Sequence, residues 1–172
     1  MTAMQISDYP LQETHLDEEF CRQNGELILQ VRVHKRQWLS QNSRMGWRQK
    51  AAMVKILRRL GYLTGLNLKN DKSQEFACRW VTGADRVKVV ALIHPLRRGT
   101  FDPGNAAASV KPIIDGLTDA GYWADDNGAR LLGPDYRPAL PTGTPDEYRI
   151  DLHITGYRLP AGRETDQTRR TP

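Results

Sequence analysis

The stretch RVKVVALIHP, Arg86 to Pro95, decides the architecture. Its valines, leucine and isoleucine run almost without interruption, β-branched residues dominate, and a proline closes it. Such a segment is predicted to be a strand apolar enough to lie centrally in a sheet. Two further segments can pair with it. ELILQVRV, Glu26 to Val33, mixes a short apolar run with alternation, and EYRIDLHITGYRL, Glu147 to Leu159, alternates clearly, so both read as strands. ARLLGPDYRP reads as a short strand and turn, and EFACRWV as an additional strand.

Between the strands the period changes. From about Trp47 to Leu63 it is helical: Met53, Ile56, Leu57 and Leu60 fall at i, i+3, i+4 and i+7, a stripe that must face a core. Arg48, Lys55, Arg58 and Arg59 fall on the other side. After the basic turn LRRGTFDPGN a second helix carries Val110, Ile113, Ile114 and Leu117 inward. Pro112 limits where it can begin, because in a helix starting at Ala106 its ring meets the carbonyl of Ala108. Ser109 as N-cap puts Pro112 in the tolerant first turn and leaves 105–108 as a separate turn. Lys111, Asp115 and Asp119 then share the polar face, four residues apart, and Gly121 stops the helix. Strands and two main helices in this order predict a single α+β domain with a mixed sheet. The domain is expected over 25–159, between an acidic mobile segment, 1–24, and a disordered tail, 160–172.

The chain has 172 residues and a net charge of +5, unevenly spread. Residues 1–21 hold five acids and no Lys or Arg, which leaves 25 bases against 15 acids in the rest. Leu27 to Asn70 contains ten cations and no acid. A one-signed field of that size suits an anionic partner, nucleic acid above all, although a merely soluble basic surface also produces one. Asn42 and Arg44 in the loop HKRQWLSQNSRMG, with Arg48 and Lys55 behind them and Arg97 and Arg98 after the central strand, are the candidate phosphate contacts. No apolar run is long enough for a membrane span and no signal peptide is indicated, so a cytoplasmic protein is expected. Cys21 and Cys78 lack ligand spacing and read as ordinary thiols. His15, His34, His94 and His153 stand apart and read as structural or surface residues. No glycine-rich phosphate cradle follows a strand.

Carboxylates flank the second helix: Asp102 in the turn before it, Asp125 and Asp126 in the turn after it. Acids set in a basic surface suit Mg²⁺, which takes oxygen ligands from one or two carboxylates plus substrate phosphates. Ordinary turn chemistry, DPGN and ADDNG, explains the same residues without a metal. Trp47, Tyr122 and Trp123 read either as core or as platforms for unpaired bases.

The block FDPGNAAASVKPIIDGLTDAGYWADDN, Phe101 to Asn127, resembles the active-site segment of the RusA family of Holliday-junction resolvases. That family's pattern runs Asp-x-Asp-Asn, a lysine, Asp-Ala-Leu and a turn ending in paired aspartates. The resemblance extends less specifically over Gly25 to Leu159. It sets Asp102 at the first motif aspartate, Asn105 at its asparagine, Lys111 at the essential lysine, Asp115 at the helix aspartate and Asp126 at the last catalytic acid, with Asp125 beside it. Gly104 stands where the second aspartate is expected, and 106–108 are inserted before Lys111; the resemblance extends to a branch of RusA-like sequences that shares the Asp-Pro-x-Asn form and a later GPD (Gly133 to Asp135). This removes one ligand, for which Asp125, Asp115 or Asn105 could substitute. The resemblance implies a homodimer that binds four-way DNA junctions and hydrolyses a phosphodiester with Mg²⁺, or Mn²⁺ in its place. Asp102 and Asp126, with Asp125, would hold the metal, and Lys111 would neutralise charge on the phosphate. A helix of about 12 residues, roughly 18 Å, separates the two acidic flanks unless the chain folds back or a second subunit supplies one of them. The alternative is a junction-binding protein that lost catalysis with the acid at Gly104.

Overall fold

β1 (Glu26–His34), β2 (Arg86–His94), β3 (Leu131–Pro138) and β4 (Glu147–Tyr157) form one mixed sheet in the order β1-β4-β2-β3. The structure is a computed structural model that describes residues 26–125, 128 and 130–158. The terminal segments 1–24 and 160–172, and Asp126 of the candidate site, lie outside the described residues. β4 is antiparallel to both neighbours, pairing Leu29 with Leu152 on one side and Ala91 with Leu152 on the other. β2 and β3 run parallel. Three helices complete the α+β domain: α1 (Trp47–Asn70), α2 (Glu75–Thr82) and α3 (Ala107–Asp119). Two 3₁₀ turns, η1 (Lys72–Gln74) and η2 (Pro103–Ala106), lead into α2 and α3.

The core follows from alternation. Leu27, Leu29, Val31 and Val33 of β1, Val87, Val89, Ala91 and Ile93 of β2, and Ile150, Leu152 and Ile154 of β4 are at most 1% exposed. Each such Val, Leu or Ile side chain contributes about 1.5–3 kcal/mol by leaving water. β2 is central, as its composition predicts, with β4 and β3 on its two sides. In β3, Gly133 takes a positive φ of 99° beside the irregularity between Lys88 and Val90, and a Cβ there would collide with the Val89 carbonyl. β3 is therefore one eight-residue strand running through GPD, longer than the strand and turn expected.

Four expectations are corrected by the structure. EFACRWV is helix α2, because Ala77, Cys78 and Val81 bury at helical spacing and Asp71 caps the preceding turn by accepting the Ser73 N–H at 2.9 Å. Helix α1 continues past Leu63 to Asn70. Its buried line is Leu57, Gly61 and Gly65, while Ile56 is 38% exposed. The glycines admit α3 at backbone contact: a Cβ on Gly61 would strike the Ile113 carbonyl, and one on Gly116 the Arg58 carbonyl and Tyr62 nitrogen. Finally, α3 begins at Ala107 as a continuation of η2, with Pro112 inside it. Ser109 is not its N-cap, because its hydroxyl is engaged with the backbone of Leu39.

Candidate functional site

The C-terminal ends of β1 and β2 and the N-terminal end of β4 meet at one end of the sheet. Each feeds a loop into the same region. After β2 the chain passes Arg97 and Arg98, both exposed, and reaches Asp102. The Asp102 carboxylate caps η2: Oδ1 accepts the Gly104 N–H at 2.9 Å, and the Asp102 carbonyl accepts the Asn105 N–H at 3.1 Å. A side chain at Gly104 would start 3.1 Å from that same Oδ1, so the position is tight as well as uncharged.

The loop after β1 is fastened across this segment. Gln41 N–H donates to the Asn105 carbonyl at 3.0 Å, and Asn42 Nδ2 donates to Asn105 Oδ1 at 3.3 Å. Below them the buried Ser109 hydroxyl accepts the Leu39 N–H and donates to the Leu39 carbonyl, both at 2.8 Å. Asn42 and Asn105, singled out separately in the sequence, are thus brought together. Arg44, Arg48 and Lys55 follow on the exposed surface of the loop and the first turns of α1, with Arg48 5.2 Å from the centre of the Trp47 ring. Arg58 leaves that row for a bidentate pair with Asp119, at 2.6 and 2.7 Å, which holds the Asp119 carboxyl below its ordinary range.

Lys111 Nζ donates to Asp115 Oδ1 at 2.6 Å, the i,i+4 pair that the helical spacing allows. Asp115 is the more buried partner, 26% exposed against 57% for the lysine. Tyr136 of β3 is half-buried near this pair: burial pushes its hydroxyl up, and the Lys111 charge works against that shift. After α3 the chain makes a local turn, at the opposite end of the helix from Asp102. Gly121 takes a φ of 73°, the Tyr122 N–H returns to the Leu117 carbonyl at 3.2 Å, and Trp123 Nε1 donates to Thr118 Oγ1 at 2.7 Å. Tyr122 and Trp123 are core residues, Tyr122 tied to the Gly65 carbonyl at 2.9 Å, whereas Trp47 is 75% exposed. Asp125 follows on the surface, and Asp126 lies outside the described residues. Among the described residues no three His, Cys, Asp or Glu side chains gather closely enough to hold a cation.

At the rim of this region lies a polar trio built on the buried His94 with the partly buried Arg149 and Asp151. His94 Nδ1 is 2.7 Å from the Leu140 carbonyl and Nε2 is 3.0 Å from Asp151 Oδ2, which also lies 3.1 Å from Arg149. Burial acts to raise the Asp151 carboxyl, but the His94 hydrogen bond and the charges of His94 and Arg149 hold it below its ordinary value. His153 pairs with Glu26 at 3.3 Å. Both histidines are buried and engaged in these contacts. The Ser109 clasp and the Asn42–Asn105 contact join residues 70 and 63 positions apart, which no local spacing reveals.

Fold and site together define an α+β domain with acids and amides set in a basic rim at one end of its sheet. No protein-family model matches this chain, and comparison with curated proteins finds no relative of it.

Proposed function

We propose that this chain is a metal-dependent, structure-selective DNA endonuclease that resolves four-way junctions as a homodimer. The observation that carries the reading is the convergence of Asn42, Asn105 and the Asp102 turn, held by hydrogen bonds between segments more than 60 residues apart, within a rim of exposed cations. The resemblance of Phe101 to Asn127 to the RusA motif supplies the reaction class. Counterion release from phosphates neutralised by Arg44, Arg48, Lys55, Arg97 and Arg98 would give most of the affinity.

The donor chemistry suits a hard divalent cation. Asp102 gives one carboxylate oxygen to Gly104 and stays exposed, and Mg²⁺ needs only one or two carboxylates when substrate phosphate and water fill the other positions. Asp102, Asp125 and Asp126 are the residues proposed to hold it. When bound, such an ion would polarise the phosphate and lower the pKa of a water. Lys111, already oriented by Asp115, would neutralise charge that develops on the phosphate, and Asn105 would hold the loop carrying Asn42 and Arg44 against the Asp102 turn.

A second reading has one observation in its favour. Where the motif has its second aspartate, Gly104 offers only a backbone N–H to Asp102, so one acid is missing. A junction-binding protein without catalysis would look the same here. A synthetic mobile junction in Mg²⁺ separates the two. The nuclease reading expects wild type to nick it symmetrically, and expects Asp102→Asn and Asp126→Asn to lose about 100-fold or more in rate while still binding. Binding by wild type without cutting, with activity appearing in Gly104→Asp, would establish the second reading instead.

A further inference from the structure

We infer that Ser109 is a positioning residue, one that sets the phosphate-contacting loop against the catalytic turn; the inference rests on the nuclease reading. Ser109 is fully buried on α3, two residues before Lys111, and Leu39 is fully buried as well. A serine hydroxyl has one donor and can accept as well, and here it uses both functions on the same residue: it accepts from Leu39 N–H and donates to Leu39 C=O, each at 2.8 Å. The contact behaves as a two-point clasp between a helix side chain and a loop backbone. Two residues further along, Gln41 N–H and Asn42 Nδ2 grip the backbone and side chain of Asn105.

The loop from Leu39 to Asn42 is therefore strapped along the segment from Asn105 to Ser109, which joins Asp102 to Lys111. Arg44 lies two residues beyond the strap and Lys111 two residues beyond Ser109, so the clasp fixes the separation between a phosphate anchor and the proposed charge-neutralising lysine. Because the bonds are to the Leu39 backbone, their specificity lies in the hydroxyl at 109. Alanine there would leave the buried N–H and C=O of Leu39 without this partner and let the loop move relative to Lys111.

Positioning and mere stability separate by readout. In Ser109→Ala, the single-turnover rate of junction cleavage should fall about tenfold or more, because displacement of about 1 Å at a reacting centre costs up to about 100-fold, while junction affinity measured without Mg²⁺ changes less than about threefold. The Leu39 and Gln41 amides should exchange with deuterium about tenfold faster, with those of α1 unchanged. Ser109→Thr, which keeps the hydroxyl, should restore rate and protection. If the alanine variant does not fold, Gln41→Pro removes the neighbouring N–H from an exposed position and should lower the rate in the same way. A folded Ser109→Ala enzyme that cuts at the wild-type rate would overturn the role alone, as would unchanged protection at Leu39. A wild type that never cuts junctions would overturn the nuclease reading and this role with it.

Discussion

Asp151 is held by His94, Arg149 and the Gln30 side chain in a nearly closed environment, with 13% of its side chain exposed. Removing its charge strands Arg149 and His94, so Asp151→Asn should cost about 2–3 kcal/mol near neutral pH, read as a lower urea midpoint. The pH dependence has a definite sign. The folded carboxyl sits below its ordinary value of 3.8, so the unfolded chain takes up the proton first as pH falls. The contribution is complete above the unfolded value and is lost as pH drops through the folded one, so the gap between wild type and Asp151→Asn should narrow as pH falls through and below the ordinary value of 3.8. A gap of constant size over that range would contradict the assigned pair. At this scale the sequence is legible where partners are close in the chain: Lys111 and Asp115 meet because i,i+4 residues share a helix face. The trio of His94, Arg149 and Asp151 and the clasp of Ser109 on Leu39 depend on strand register and loop path, which side-chain spacing does not encode.

Helix α1 approaches α3 through Gly61, Gly65 and Gly116 rather than through an interdigitated apolar stripe. The apolar period located the helix, but it favoured Ile56 over the glycines because hydrophobic patterning counts side chains, and here the contact is made where side chains are missing. Gly116→Ala places a methyl group on the Arg58 carbonyl and Tyr62 nitrogen, both backbone atoms that cannot yield as a side chain would. It should destabilise the protein by about 2–3 kcal/mol in urea unfolding despite alanine's better helix propensity. A neutral or stabilising result would show that the helices are not in backbone contact. The failure at EFACRWV has a different origin: its phenylalanine, tryptophan and valine favour strands, and seven residues are too few for the period to decide. The burial of Ala77, Cys78 and Val81 over the sheet and the cap at Asp71 impose the helix instead.

Across the whole molecule, an apolar run at β2 and alternation at β1 and β4 announced the main strands, but the order β1-β4-β2-β3 is a property of tertiary pairing, with the last strand inserted between the first two. That insertion brings the ends of β1 and β2 to the same side, so the loop carrying Asn42 and Arg44 can lie across the turn carrying Asp102. The acid-free stretch from Leu27 to Asn70 supplies the basic rim, although part of its charge is consumed internally by the pairs Lys35–Asp146 and Arg58–Asp119. No described helix is long and apolar enough to cross a membrane. The proposal that this end of the sheet cuts branched DNA is tested most directly by incubating the purified full chain with a mobile four-way junction and a linear duplex of the same sequence, with and without Mg²⁺. Paired nicks at symmetric positions in the junction only, dependent on Mg²⁺, are the expected result. Intact junction after prolonged incubation with saturating protein, or equal cutting of the linear duplex, would contradict it.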